Sequence, residues 1–292
     1  VNLLYPYSLQ TKGEKGIQIN NCKEVQIGNL NNNLSSYNKF ENLYNGIHII
    51  GGSMSQTENY YILNNRFYDI NINWSNNEND QYYKTTFWSA STHRGSAIYS
   101  SPMTGSAVNT HTLTVESGLD QTNFLRCDKA IYTRYTSANV QWNYVIDCVM
   151  GFMYSNATGQ VYNNHDNYIY GTYRGIQADG DVKKSILWKN FISTKQCIAQ
   201  NLYSNGITVN FVNPTAISSI YLNENEIRLF NRAGTGITFR KTNENTIALK
   251  NTIRIMYGSW GDVDSTQYVS AGIYLEKCNR TQLKKKNLIG AE

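Results

Sequence analysis

Two aspartates in the segment Ala178-Asp-Gly-Asp-Val182 have the type and spacing of a catalytic carboxylate pair. In an extended chain, Asp179 and Asp181 would point in the same direction, about 6–7 Å apart. Glycoside hydrolysis uses two carboxyl groups at about such separations, one as acid and the other as base or nucleophile. Asp-Gly-Asp is also common in turns, so the pair is a candidate catalytic site and has a structural alternative.

A second aspartate pair, Asp262 and Asp264, follows Trp260 with the same spacing. Its carboxylate oxygens could hold calcium, and it is the metal candidate of the sequence. No CxxC or histidine-rich spacing indicates zinc. We therefore expect no cofactor other than calcium at this pair.

A polysaccharide lyase would need a cation against the uronate carboxylate and a base that removes the C5 proton. Three dipeptides contain suitable residue types, although no motif marks them: His93-Arg94, His165-Asp166 and Tyr173-Arg174. Exposed residues of these types are usually only solvated. The sequence therefore offers lyase candidates without choosing among them.

A strand repeat must position these groups. Residues 128–195 contain three cycles of short apolar, alternating runs separated by Asn or Gly, and Ile131, Phe152 and Ile176 begin successive cycles. A strand-only period of roughly 20–25 residues predicts a solenoid, here a parallel β-helix. Related cycles fill the chain, although the one near Ile198 or Ile207 is hard to phase. We predict one all-β domain over 1–292, with about nine coils and inserts near 71–95, 101–111 and 257–269.

Alternation within the first strand of each coil predicts which side chains face outward. Ile47 and Ile49, for example, would face the interior, and His48 between them would face out. The outward residues then form a stripe along the stack: Gln18, His48, Tyr99, Tyr132, Met153, Gln177, Thr238 and Tyr274. The members of this stripe that could stack on sugar rings or hydrogen-bond to them are His48, Tyr99, Tyr132, Gln177 and Tyr274. The insert residues that could wall a groove are Trp74, Trp88 and Trp260. Such ladders also serve cross-strand packing alone.

The same alternation predicts that Trp142 and Trp188 lie in the core.

Asparagines recur at one place in the cycle, after the second strand: Asn143, Asn164, Asn190, Asn251 and Asn287. Amides at one turn can stack, each bonding to its copies above and below, and Asn tolerates the left-handed backbone of tight turns. We therefore predict an asparagine ladder.

Cys127 and Cys148 occupy one register on consecutive coils. Coils about 4.8 Å apart would allow a disulfide. We expect a buried ladder of reduced cysteines instead, because the Cβ atoms of in-register residues point the same way.

Composition narrows the function classes. The chain has 292 residues, a net charge of +5 and 16% charged residues, which argues against coiled coils, helical bundles and disorder. Lys and Arg are scattered apart from Lys284–Lys286, so we expect no nucleic acid partner, and no apolar run of roughly 20 residues indicates a membrane span. The chain begins without Met or a signal peptide and ends within a repeat. We expect a fragment whose helix ends are covered by flanking domains or partner chains.

The recurring pattern of Gly-Ile-x-Ile, a second apolar strand, Asn and a third apolar strand covers nearly the whole chain. It resembles the right-handed parallel β-helix proteins of the pectin-lyase-like class, most of all the Asn-rich repeat proteins exported to bacterial surfaces. The resemblance implies a right-handed, single-stranded parallel β-helix in an extracellular or bacterial cell-surface setting, in contact with polysaccharide or surface glycan. The Asn-Thr-Asp, Asp-Asp and Gly-His-Gly motifs of pectinase-type hydrolases are absent from the sequence.

Three functions remain open at this point, because function lies in sites placed on a fold and not in the fold itself. The first is a surface shaft or adhesive module that contacts carbohydrate without chemistry, which the missing catalytic motifs favour. The second is a polysaccharide lyase or glycoside hydrolase. The third is a trimeric phage tailspike that binds or cleaves glycan.

Overall fold

The computed structural model describes residues 13–30, 37–51, 57–70, 95–102, 111–117, 123–155, 160–180, 183–194, 204–212, 218–229, 234–243, 245–256 and 271–291. Within these ranges the chain forms three parallel sheets of nine strands each. Each coil contributes one strand to sheet A, then one to sheet B and one to sheet C, so coil 1 holds the first three strands and coil 9 the last three. The predicted parallel β-helix of about nine coils is confirmed.

Strand bounds follow the coil order. Sheet A contains β1 (Gly13–Asn20), β4 (Leu43–Ile50), β7 (Ser96–Ser101), β10 (Lys129–Arg134), β13 (Met150–Ser155), β16 (Arg174–Asp179), β19 (Ser204–Asn210), β22 (Gly234–Arg240) and β25 (Ala271–Glu276). Sheet B contains β2 (Glu24–Gly28), β5 (Glu58–Leu63), β8 (His111–Glu116), β11 (Ser137–Gln141), β14 (Val161–His165), β17 (Lys184–Trp188), β20 (Ile220–Asn223), β23 (Thr246–Leu249) and β26 (Gln282–Lys284). Sheet C contains β3 (Lys39–Glu41), β6 (Arg66–Tyr68), β9 (Phe124–Leu125), β12 (Tyr144–Ile146), β15 (Tyr168–Thr172), β18 (Phe191–Thr194), β21 (Glu226–Leu229), β24 (Thr252–Ile255) and β27 (Leu288–Ala291).

The anchor residues form one interior column. Ile131 pairs with Phe152, and Phe152 pairs with Ile176 on the next coil. All three side chains are buried, so each coil adds apolar surface to a core that is continuous from coil to coil. Packing leaves no room for a side chain at Gly175, just before Ile176, because a Cβ there would lie 2.5 Å from both the Gly206 carbonyl oxygen and Ile192 Cγ2. The Gly-Ile pair thus marks the corner where sheet C turns into sheet A.

The predicted asparagine ladder is present at the corner between sheets B and C. Side-chain amides bond from coil to coil at 2.7–3.0 Å through Asn123, Asn143, Asn167, Asn190, Asn225, Asn251 and Asn287. Asn167 Nδ2 also donates to the Val140 carbonyl of the preceding coil at 3.0 Å. Each amide between the two ends of the ladder therefore binds its neighbours on both sides, which satisfies polar groups that the core would otherwise leave unpaired.

One member of the predicted ladder was wrong. Asn164 lies in β14, faces the interior opposite Val140 and donates to Tyr154 Oη at 2.7 Å. Asn167 takes its place in the ladder. The left-handed backbone also lies one residue earlier than predicted, at Trp142 (φ 55°) and Lys189 (φ 51°) before their ladder asparagines.

The prediction that Trp142 and Trp188 are core residues was wrong as well. Trp142 occupies the left-handed turn position and is 37% exposed. In β17, Ser185 and Leu187 are the buried residues, so Trp188 points to the outer face of sheet B. A one-residue error in strand register reverses the direction of every side chain, and this explains the error at Trp188.

The two cysteines form the reduced ladder that was predicted. Cys127 and Cys148 are free thiols, and the Cys127 backbone N–H donates to Cys148 Sγ at 3.3 Å. Burial, and then the contact with Cys148, raises the pKa of the Cys127 thiol. The thiols therefore pack as small apolar groups.

In the described ranges, no helix has the length and hydropathy that crossing a bilayer requires.

Candidate functional site

The predicted outer stripe exists as a column of paired residues on sheet A. Consecutive members lie opposite one another on neighbouring strands: Gln18, His48, Tyr99, Tyr132, Met153, Gln177, Thr208, Thr238 and Tyr274. Two further columns flank it on the same face, because every second residue of a strand points the same way. Three columns of side chains thus line the outer face of sheet A.

Coils 2–5 close this face to solvent. Tyr99, Tyr132, Met150 and Met153 form an apolar cluster separate from the interior core. The Tyr99 ring lies 4.9 Å from His48 and 5.3 Å from Tyr132, and Tyr132 is 2% exposed. His48, Tyr99 and Tyr132 therefore face outward as predicted but expose almost no surface that a sugar ring could contact.

Coils 6–9 leave the same face open. They form a groove of about 540 Å³ that runs over β16, β19, β22 and β25. Most of its lining residues carry a polar side chain: Arg174, Gln177, Asp179, Asn205, Thr208, Asn210, Gly234, Thr235, Thr238, Arg240, Ala271 and Tyr274. Tyr274 is 41% exposed at the last coil. Four residues that the sequence named as candidates line this groove: Arg174, Gln177, Asp179 and Tyr274.

Hydrogen bonds within the face fix the orientation of several lining groups. Arg174 Nη1 donates to Gln177 Oε1 at 2.9 Å, and Gln177 Nε2 donates to Asp179 Oδ2 at 2.5 Å. Two coils further along, Thr235 Oγ1 donates to Asn205 Oδ1 at 2.7 Å. The groove therefore presents donors and acceptors that are already oriented, which lowers the cost of binding a polar ligand.

The charged residues of one column beside the central one alternate in sign. Asp179, Asn210, Arg240 and Glu276 pair in register, and Arg240 Nε lies 3.0 Å from Glu276 Oε2. Burial raises the pKa of Asp179, although hydrogen bonds from Gln177 and Asn210 and the nearby arginines oppose that shift. Burial lowers the pKa of Arg174, but a guanidinium remains protonated at neutral pH. Arg174 thus supplies a positive charge bonded to a neutral amide.

Sequence reasoning named part of this groove and missed the rest. Arg174 was a lyase candidate, whereas Asn205, Asn210 and Arg240 were not considered. The outward alternation of β19 could have identified Asn205 and Asn210 if the coil at Ile207 had been phased. Arg240 lies in β22, whose coil was phased, so alternation alone could have identified it. The predicted residues that lie outside the described ranges are Asp181, Trp74, Trp88, Trp260, Asp262, Asp264, His93 and Arg94.

Another titratable cluster lies inside the helix. His111 Nε2 is 2.7 Å from Glu58 Oε2, and the Tyr60 hydroxyl donates to the same carboxylate oxygen at 2.8 Å. All three residues are buried, and burial lowers the pKa of His111 despite the nearby carboxylate. Because all three side chains are buried, we do not take this cluster as the candidate site.

Searches for related proteins found no matching protein-family model, no matching curated protein and no matching solved structure. The parallel β-helix itself follows from the sheets and their register. Membership of the pectin-lyase-like class stays a prediction. Within the described ranges, no group of three or more His, Cys, Asp or Glu residues is placed to hold a metal ion.

Proposed function

We propose that the protein is an extracellular or cell-surface β-helix module that binds an acidic polysaccharide in the groove on sheet A. The observation that supports this most is the arrangement of Arg174, oriented amides and the exposed Tyr274 in one open groove. The family resemblance of the repeat points to the same setting.

The residue types suit a sugar ligand. Amide and hydroxyl groups exchange hydrogen bonds with sugar hydroxyls, and an exposed phenol ring offers an apolar face with a polar edge. Arginine binds carboxylates with two parallel hydrogen bonds, so Arg174 favours a chain that carries uronate groups. Coils rise by about 4.8 Å, close to the length of one hexopyranose unit. A polysaccharide parallel to the helix axis would place about one sugar on each coil.

Hydrolysis by a carboxylate pair gets no support from the described residues, and Asp181, the predicted partner of Asp179, lies outside them. Asp179 and Glu276 lie in the same column but three coils apart, which is roughly 14 Å at the coil rise. Glycosidases need about 5–9.5 Å between their two carboxyl groups. Asp179 and Glu276 are therefore too far apart to form such a pair.

A polysaccharide lyase is the second candidate, favoured by one observation. Arg240 and Tyr274 lie on adjacent coils of the same face, and they supply the cation and the phenol that β-elimination at a uronate requires. Arg240 is ion-paired with Glu276, which competes with substrate binding. We therefore place binding first.

Affinity electrophoresis of the full chain through gels containing polygalacturonate, alginate or dextran tests the proposal. We expect retardation by the acidic polysaccharides that weakens with added salt, because exposed charge interactions are screened. Equal migration in all gels would overturn it. The same mixtures should be assayed for unsaturated uronate and new reducing ends, since turnover would show that the protein is an enzyme and not only a binding module.

Light scattering measures the oligomeric state and so separates a trimeric tailspike from a monomeric module.

A further inference from the structure

The charges of the sheet A groove nearly cancel one another. Of its described lining residues, Arg174, Asp179 and Arg240 are charged. Arg240 Nε lies 3.0 Å from Glu276 Oε2 on the next coil, so an ion pair compensates the charge of this arginine. Asp179 offsets the charge of Arg174 when it is ionised and adds no charge when it is protonated. The described lining therefore carries at most one uncompensated positive charge, that of Arg174.

This positive charge lies at one end of the groove. Arg174 belongs to β16 in coil 6, where its Nη1 donates to Gln177 Oε1 at 2.9 Å. The next strand, β19 in coil 7, contributes Asn205, Thr208 and Asn210 to the lining, and all three are uncharged. A ligand parallel to the helix axis thus meets a cation at coil 6 and neutral amides and a hydroxyl at coil 7.

Neutral groups continue over the following coils. The hydroxyls of Thr235 and Thr238 in β22 lie 2.6 Å apart, and Thr235 Oγ1 donates to Asn205 Oδ1 at 2.7 Å. Because this bond occupies the oxygen of Asn205, the amide acts on a ligand mainly as a donor, which suits the oxygen atoms of sugar hydroxyls. At coil 9, Tyr274 contributes an exposed ring.

Further negative charge on the ligand would be repelled by the groove. A homopolyuronate with about one sugar on each coil would place a carboxylate at every coil, including those of Asp179 and Glu276. The side chain of Glu276 is 37% exposed beside Tyr274's column. Like charges on one coil repel each other, so a dense row of carboxylates fits this groove poorly.

We propose that the groove binds a sparsely charged heteropolysaccharide, with one uronate at Arg174 and neutral sugars over coils 7–9. This inference rests on the proposed glycan-binding function and narrows its ligand class. Amides and hydroxyls of coils 7 and 8 bond to sugar hydroxyls, and the Tyr274 ring packs on a sugar face. A homopolyuronate would bring carboxylates to coils where the described lining has no uncompensated cation to receive them.

Calorimetric titration of the full chain with three oligosaccharides of equal length tests the proposal. They are gellan, whose repeat joins one uronate to neutral sugars, polygalacturonate, in which every sugar is a uronate, and dextran, which is neutral. We expect gellan to bind at least about tenfold more tightly than polygalacturonate at low salt. The difference should shrink as salt is added, because repulsion between exposed charges is screened.

Glu276→Gln tests whether the repulsion arises in the groove. This variant releases Arg240 from its ion pair, so we expect polygalacturonate to bind about fivefold more tightly and gellan to stay within about twofold of the parent chain. Glu226→Gln is the matched control, because Glu226 is paired with Arg228 on sheet C and its side chain is similarly exposed, 38% against 37%. It should change neither affinity.

The outcomes separate this inference from the proposed function. Polygalacturonate that binds as tightly as gellan, or more tightly, would overturn the inference and leave a groove for acidic polysaccharide in place. Equal affinities of Glu276→Gln and Glu226→Gln for polygalacturonate would overturn the inference too, because the repulsion would not arise at Glu276. Binding of neither acidic ligand, or dextran binding as tight as that of gellan, would overturn both proposals.

Discussion

The two halves of the outer face of sheet A share one backbone pattern and differ in what they offer to solvent. Coils 2–5 place His48, Tyr99, Tyr132 and Met153 in the central column, and all four are buried. Coils 6–9 place Gln177 and Tyr274 in the same column, and both line an open groove. Alternation sets the direction of a side chain, but direction alone does not decide exposure.

Side-chain chemistry makes the closed half stable once it is covered. Burying aromatic and sulfur-containing side chains is favourable by roughly 1.5–3 kcal/mol each, so an apolar column is stable when covered. A polar column would lose water without sufficient compensation. Ser155 Oγ donates to the Tyr132 hydroxyl at 3.1 Å, which satisfies a polar group of the closed half. The four predictions below test this contrast, from the largest expected effect to the smallest.

Truncating one ring in each half should give very different losses of stability. We expect Tyr132→Ala to lower the free energy of unfolding by about 3–5 kcal/mol, the range for large buried aromatics. Tyr274→Ala, at a 41% exposed position, should cost less than about 1 kcal/mol. Urea denaturation of both variants measures the contrast. Equal losses of unfolding free energy in the two variants would mean that Tyr132 is not buried in solution.

Removing the charge of the open half should affect binding more than folding. We expect Arg174→Gln to weaken binding of acidic polysaccharide by at least about tenfold, or about 1.4 kcal/mol, because a bidentate carboxylate contact is lost. Arg228→Gln on sheet C, where Arg228 bonds to Glu226, is the matched control and should bind as the parent chain does. Isothermal titration calorimetry separates the two, and unchanged affinity in Arg174→Gln would place the ligand elsewhere.

Removing a single hydroxyl from the closed half should give a modest effect. Tyr132→Phe leaves Ser155 Oγ without its acceptor, and we expect a loss of about 1 kcal/mol in the free energy of unfolding. Binding of acidic polysaccharide should be unchanged, since Tyr132 lies outside the groove. A loss of affinity in this variant would show that the two halves act together.

The smallest effect should be a change in how stability depends on pH. Burial raises the pKa of Asp179 above its ordinary value of 3.8, so the folded chain keeps this proton at pH values where the unfolded chain has lost it. The stabilising contribution is complete below 3.8 and is lost as the pH rises through the folded pKa. Asp179→Asn should therefore gain stability relative to the parent chain between acidic and neutral pH. Thermal melts across that window measure the difference, and a constant difference would contradict the pKa shift.

Much of the interior could be predicted from the sequence because coil-to-coil repetition is encoded locally. Ile131, Phe152 and Ile176 were placed in one column, and they pair as predicted. The errors came after turns. Asn164 was assigned to the ladder position that Asn167 occupies. Trp188 was assigned to the inner face of its strand, because the sequence of a short strand does not distinguish two registers that differ by one residue.

The sequence by itself determined that the chain winds into a parallel β-helix, that its anchors face inward and that an asparagine ladder lines one corner. Those features depend on alternation and period, which are properties of neighbouring residues. Only the tertiary structure decided that Tyr132 is buried and Tyr274 exposed, and that Arg174, Asp179 and Arg240 share one groove. Exposure and grouping depend on what covers a face, and residues distant in the chain decide that.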